Sequence, residues 1–200
     1  MLEEEYQPRR RLPRRLLPAP VPEAPFSFAV RDAVAADLPY VREIYGHYVA
    51  NSTVTFDEEL APISEWRRRF GVTTKLGMPF LVAVNPAGEV LGYATAGPWG
   101  GKAAYRHTVE ISIYLRPAST GKGLGRALLE ALVESCREAG IREMVAVIAD
   151  RAADASIRLH ASLGFVEVGR MGRVGFKFGR YLGTVTMQKS LRKRRGRASS

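Results

Sequence analysis

Cysteine is nearly absent. Cys136 stands alone among 200 residues, so no disulfide can form within the chain, which fits a reducing cytoplasm. Long apolar runs are absent too: none approaches the roughly 18 residues that a membrane helix needs. The opening stretch MLEEEYQPRRRLPRR is acidic and then basic, without the short apolar core of a secretion signal. No internal repeat is visible, and no metal is expected. The net charge of +10 invites a polyanion reading, but the excess is local. Residues 1–25 carry five Arg against four acids, whereas 189–200 carry Lys189, Arg192, Lys193, Arg194, Arg195 and Arg197 and no acid at all. The stretch between holds only about +3. The tail 190–200 is therefore expected to be a disordered, solvated end with at most loose affinity for nucleic acid, and the proline- and arginine-rich arm 1–25 is expected to be disordered as well. With 46% apolar residues, the remainder, 26–189, suffices for one domain with one sizeable core.

That domain reads as a mixed α/β fold. Phe26–Val30 (FSFAV) predicts a first strand. In 35–50, Leu38, Val41, Ile44, Tyr45 and Tyr48 share one helical face, with Asp37 as N-cap and Pro39 in the first turn. A second helix is expected over Ile63–Phe70. Two apolar runs flank Asn85-Pro86-Ala87-Gly88, which predicts a hairpin over 80–99. TVEISIYL, 108–115, alternates like a strand. A glycine segment and a helix to about Ala139 follow, with Gly140 as C′ cap. MVAVIA, 144–149, predicts a buried strand, 153–165 a short helix, and VEVGRM and GTVTMQKS further strands. The order is β-α-α-β-β-β-α-β-α-β-β.

The segment RPASTGKGLGRALLEAL, 116–132, places three glycines at the head of a helix. Free N–H groups and the helix dipole there make an anion site, and glycine lets backbone approach a phosphate without a Cβ in the way. Lys122 adds a point charge. Lys122 precedes Gly123, so this is not a Walker loop, and Gly121, Gly123 and Gly125 are too closely spaced for a dinucleotide fingerprint. Spacing alone leaves two readings: a pyrophosphate cradle of another kind, or a tight left-handed turn without ligand.

TVEISIYLRPASTGKGLGRALLEAL resembles the acetyl-coenzyme A segment of the GCN5-related N-acetyltransferases. HYVANSTVTF, GYATAGPW, TVEISIYL, VAVIA, SIRLHASLGF and GFKFGRYL together resemble that family's phosphinothricin and methionine-sulfoximine branch, in order, over about 28–190. The resemblance implies a mostly antiparallel twisted sheet, splayed near 110–115, with helices on its faces and acetyl-CoA as cosubstrate. It implies a pantetheine arm pairing with Ile113, Tyr114 and Leu115, and a pyrophosphate on Gly121, Lys122, Gly123, Leu124, Gly125 and Arg126. Two positions depart from the pattern. Thr120 stands where Gln or Arg is usual, and Ala153 where the next helix usually opens with Asn, in a connection one residue longer. Relatives also carry a polar residue where this chain has Gly183.

Amide formation from a thioester needs a neutral amine. The resemblance gives Glu110 the role of base, buried enough to have a raised pKa. It places backbone oxyanion donors at a bulge near Tyr114 and makes His160 the acid that protonates the leaving thiolate. No cysteine is suitably placed for a covalent intermediate, and Cys136 is expected in the core. Acceptor candidates are Phe56, Trp99, Lys102, Tyr105, Ser112 and Tyr114, with Lys102 and Tyr105 suited to an anionic head. The stretch Gly100-Gly101-Lys102 has one cation fewer than phosphinothricin-resistance enzymes. It therefore favours methionine sulfone, methionine sulfoximine or another small amino-acid acceptor over phosphinothricin. Tyr181 is expected at the pocket mouth or at a homodimer contact. A protein N-terminus as acceptor, and a non-catalytic cofactor-binding regulator, are the alternatives.

Overall fold

The computed structural model describes residues 26–191. The expected arm 1–25 and residues 192–200 of the tail lie outside them. Seven strands form one sheet in the order β1-β2-β3-β4-β5-β7-β6. They are β1 (Ala29–Asp32), β2 (Phe80–Val84), β3 (Val90–Pro98), β4 (Thr108–Leu115), β5 (Glu143–Ala149), β6 (Val166–Lys177) and β7 (Arg180–Ser190). The helices are α1 (Leu38–Asn51), α2 (Ile63–Lys75), α3 (Leu124–Glu138) and α4 (Asp154–Ser162). This is the expected order. The sheet closes on Leu191, which is buried and donates its amide to the Arg142 carbonyl, so ordered structure runs past the expected boundary at 189.

Strand alternation sorts side chains onto two cores. Leu81, Ala83, Val109 and Ile111 face α3, which buries Leu124, Leu128, Leu129, Leu132 and Cys136. Phe80, Val82, Val90 and Tyr93 face the other way, against Leu38, Val41 and Ile44 of α1 and Trp66 of α2. Each fully buried leucine contributes about 1.5–3 kcal/mol relative to exposure, so α3 is the most firmly seated helix. Its C-terminus is closed by Gly140 at φ +77, with the Gly140 amide on Arg137 and the Ile141 amide on Cys136. Burial pushes the Cys136 thiol up to about 12, leaving it an inert core residue.

Two expectations are corrected in detail, and one glycine is explained. Asp37 occupies the N-cap position of α1 but its side chain does not cap the helix: the carboxylate accepts from the Val34 amide and from Arg31, at 2.8 and 2.7 Å, and so fastens the turn before the helix. The register between β3 and β4 runs without a shift from Gly92↔Leu115 to Pro98↔Val109, so there is no bulge at Tyr114. Gly183 has no room for a side chain. A Cβ there would lie 2.4 Å from the Met171 carbonyl oxygen and 2.6 Å from Asp150 Oδ2. The Gly183 amide instead donates to Asp150 Oδ1 at 2.9 Å, holding the end of β5 against β7.

The splay comes from strand pairing. All neighbouring pairs are antiparallel except β4 and β5, which run parallel. That pairing stops at Ile111↔Ala146. Beyond it β4 stays with β3 as far as Leu115, while β5 stays with β7 as far as Ala149↔Thr184. A wedge therefore opens between residues 112–115 and 147–149, with β4 amides along one wall.

Candidate active site

Two clefts reach β4 from opposite faces of the sheet. The larger, about 580 Å³, fills the wedge. Ile113, Tyr114 and Leu115 line one side, Val147, Ile148 and Ala153 another, and Gly121, Gly123, Gly125 and Arg126 its end. Gly121 and Gly123 are left-handed at φ +74 and +83, a conformation that favours glycine. Gly123 is the N-cap of α3 and offers no side chain, and no acid sits in the first turn. Among the described residues no side chain serves the first-turn amides, which stand at the positive end of the helix dipole, and this suits a phosphate. Gly125 lets α3 approach its neighbours: a Cβ there would stand 3.3 Å from Leu159 and 3.5 Å from Leu115.

The other expected cofactor residues divide. Leu124 buries its side chain completely in the core, so only its backbone is at the turn. Lys122 is exposed and lies over the Phe26 ring at 4.7 Å, not on the wall of the cleft. Arg126 is on the wall, its guanidinium shared between Glu130 and Ser162. Thr120 lines the cleft and donates its hydroxyl to the Pro117 carbonyl at 2.8 Å. Ala153 is buried, and Ala152 before it is left-handed at φ +57.

The smaller cleft, about 320 Å³, opens on the face covered by α1 and α2. Glu110, Ser112 and Tyr114 of β4 form its floor together with Thr95 and Gly97 of β3, and Tyr45, Trp66, Arg68 and Arg69 form its walls. Gly97 is the cross-strand partner of Glu110, so the carboxylate has an open neighbour. Ser112 and Tyr114 line both clefts, and there the two faces meet. Glu110 is exposed at the cleft mouth and not buried as expected, yet the surrounding protein desolvates its carboxylate enough to raise its pKa above the ordinary 4.5. Burial likewise pushes Tyr114 up to about 12, with Tyr45 and Tyr48 packed against it at 5.0 and 5.3 Å. Tyr48 donates its hydroxyl to the Leu115 carbonyl at 2.6 Å, which fixes the end of β4.

His160 lines the larger cleft and is almost sealed from solvent, 2% exposed. Its Nδ1 lies 2.8 Å from the Ser156 carbonyl oxygen, which can only accept, so Nδ1 carries the hydrogen. Burial lowers its pKa and that hydrogen bond opposes the fall. In the neutral ring Nε2 is then a lone pair, an acceptor and not a donor.

The remaining acceptor candidates stay outside both clefts. Lys102 and Tyr105 are exposed on the loop between β3 and β4, and Trp99 is half-buried with its amide on the Thr108 carbonyl. Phe56 packs over Gly175 of β6, where a Cβ would come within 2.5 Å of its ring. The 52–57 loop is held by a residue that sequence reading missed. Lys177 is 2% exposed under a thin cover of protein, and its Nζ donates to the Ser52 and Thr55 carbonyls, both at 3.0 Å. Burial lowers its pKa, while Asp57 and Glu58 pull it up. Thr55 in turn meets the Tyr45 hydroxyl at 2.6 Å. Lys177→Met leaves two carbonyls without partners. It is expected to cost about 2 kcal/mol and to lower the melting temperature by roughly 4–8 °C in a thermal scan. An unchanged melting temperature would show that the loop does not depend on this tie.

The family model described as Acetyltransferase (GNAT) family matches residues 41–165. An L-methionine sulfoximine/L-methionine sulfone acetyltransferase of Pseudomonas aeruginosa is 45% identical over 165 residues, spanning 82% of this chain and 95% of its own. A phosphinothricin N-acetyltransferase of Alcaligenes faecalis is 41% identical over 155 residues, spanning 78% of each chain. The crystal structure of a GNAT superfamily phosphinothricin acetyltransferase from Sinorhizobium meliloti, in complex with AcCoA, superposes with a TM-score of 0.79 at 45% identity, covering 82% of this chain and 89% of that one. The family model spans more than half of the chain and the relatives span most of it, so this chain belongs to the acetyltransferase (GNAT) family.

Proposed function

We propose that this chain transfers acetyl from acetyl-CoA to the amine of a small amino-acid-like acceptor, of the methionine sulfone, methionine sulfoximine or phosphinothricin type. The observation that carries the reading is the meeting of two clefts at Ser112 and Tyr114, one ending in the glycine turn and the other holding Glu110. The names of the relatives, two acting on methionine derivatives or phosphinothricin and a third holding AcCoA, support it. In this reading the amides from Gly121 to Arg126 take the pyrophosphate, and the β4 wall freed by β5 takes the pantetheine arm and the charge developing on the thioester oxygen. When bound, acetyl-CoA supplies the activated acyl group. Glu110 accepts the ammonium proton, directly or through water, so that a neutral amine attacks. His160, on the wall of the larger cleft, would border the leaving sulfur. As an acid it must first be protonated, which its burial opposes.

A homodimer is part of the proposal. β6 is an edge strand that exposes Val166, Val168, Met171, Val174 and Phe176, with Tyr181 beside them on β7, an apolar stripe that a second copy would cover. Among the described residues no helix is long and apolar enough to cross a membrane, and together with the single buried cysteine this supports a cytoplasmic location.

The test is a thiol-release screen with acetyl-CoA against amino acids, methionine sulfone, methionine sulfoximine and phosphinothricin. Acceptor-dependent release with at least one of the last three is expected. Binding of acetyl-CoA by calorimetry without release for any acceptor would leave a regulator in place of an enzyme. Sedimentation equilibrium should return twice the mass of the chain, and a single-chain mass would remove the dimer.

A further inference from the structure

We infer that Arg68 and Arg69 of α2 bind the distal, oxygen-bearing end of the acceptor's side chain, so that the site prefers an amino acid with an anionic tip to one with an apolar tip. This rests on the acceptor reading above and names the substrate class of the same cleft.

The two arginines line the cleft that holds Glu110, and among the described residues they are the only cations on its wall. Both are held by Glu65. Arg68 offers Nε and Nη2 to its two oxygens at 2.7 and 2.8 Å, and Arg69 offers Nε at 2.8 Å. Two guanidinium groups on one carboxylate leave net positive charge, and Glu65 is held down to about 2, so it stays ionised at any working pH. The terminal amino groups of Arg69 make no hydrogen bond among the described residues, so its fork is open to a carboxylate-like or phosphinate-like group. Its Cζ stands 6.0 Å over the ring of Trp66, another wall residue.

Charge is sorted along the cleft. Glu110 stands on the β4 floor, whereas the guanidinium groups stand on the α2 wall beside Trp66. Tyr45, Tyr93 and Tyr114 line the same cleft, so an acceptor with its amine at Glu110 offers its far end to the α2 wall. A volume of about 320 Å³ suits one amino acid. The sequence directs attention to Lys102, which lies outside this cleft. The cation that the 99–107 loop lacks is present on α2, so on this inference phosphinothricin joins the methionine derivatives as an acceptor.

The test measures kcat/KM by thiol release for phosphinothricin, methionine sulfone and methionine in the full chain. In the double variant Arg68→Gln/Arg69→Gln the phosphinothricin-to-methionine ratio is expected to fall at least about tenfold, with sulfone between, and Arg69→Lys to keep part of the preference. General damage to the fold lowers all three together and leaves the ratio alone, so a ratio within about twofold of wild type overturns the inference. Gly97→Val is the companion variant. A Cβ there meets nothing within 4 Å, so the bulk enters the cleft and not the core. It should lower all three kcat/KM values at unchanged acetyl-CoA affinity, and no effect on any acceptor would overturn the assignment of this cleft. Wild-type protein inactive on all three would sink the acceptor reading and this inference together, whereas active wild type with an unmoved ratio sinks the inference alone.

Discussion

Glu110→Gln is expected to lower kcat/KM by about 10²–10⁴ while leaving the acetyl-CoA dissociation constant and the fold intact, because it removes a proton acceptor and nothing that binds the cosubstrate. The same substitution has a second signature. Burial raises the Glu110 pKa in the folded state, so ionisation costs more there than in the unfolded chain. The contribution of Glu110 to stability is complete below the ordinary carboxylate value of 4.5 and is lost as pH rises through the raised one. At neutral pH the Gln variant escapes that cost, and its melting temperature should equal or exceed that of wild type, the difference closing in acid. Loss of activity with gain of stability is what a general base in a half-desolvated cleft predicts and what a structural carboxylate does not. The pH profile of kcat at saturating acceptor adds a third readout. Activity should fall as pH drops through the raised Glu110 pKa, placing the acidic limb above 4.5. If the imidazolium of His160 were also required, a second decline would appear with rising pH, below the ordinary histidine value of 6.5, because burial lowers that pKa. A plateau instead leaves His160 as a wall of the cleft. Near-normal turnover by Glu110→Gln would remove Glu110 from the chemistry.

Much of the fold is legible in the sequence because it is dictated locally. TVEISIYL alternates, and β4 occupies those same residues. Asn85-Pro86-Ala87-Gly88 turns the β2–β3 hairpin, with Gly88 at φ +84. The discrepancies have physical causes. α2 continues to Lys75, past the expected end at Phe70, although Gly71, Val72, Thr73 and Thr74 are poor helix formers. Packing overrides propensity there: Thr73 is buried and donates its hydroxyl to the Arg69 carbonyl. β6 runs on to Lys177 because register shifts at Glu167/Gly169 and Met171/Gly175 absorb its glycines and let pairing resume. The cofactor side of the site is equally local, a glycine turn between one strand and one helix. The acceptor side is not. Tyr45, Trp66, Arg68, Arg69, Thr95 and Gly97 come from α1, α2 and β3, and only the sheet brings them to Glu110. The run Trp66-Arg67-Arg68-Arg69, dense in charge beside a buried indole, was the signal available for α2. For Lys177 there was none, since a lysine near a hairpin turn ordinarily faces water.

The glycine turn carries the other large expectation. Gly123→Val should weaken acetyl-CoA binding by about 100-fold or more in calorimetry, and Gly123→Ala by an intermediate factor. At φ +83 a residue with a Cβ pays about 1–2 kcal/mol, so the turn relaxes towards negative φ and its amides swing away from the phosphate position. Losing two charge-assisted hydrogen bonds, at about 1.5 kcal/mol or more each, corresponds to roughly that factor. The added Cβ meets no protein atom within 4 Å, so the damage falls on the turn and the cleft it borders, not on core packing. Gly140 supplies the control within the same helix. It closes the far end of α3 at φ +77, its Cβ would also meet open space, and it borders neither cleft. Gly140→Ala should therefore cost the same kind of backbone strain in a thermal scan, yet leave the acetyl-CoA dissociation constant where it was. Equal loss of affinity in the two alanine variants would mean that binding follows helix stability alone. Unchanged affinity in Gly123→Val would mean that the amides at the head of α3 do not hold the cosubstrate.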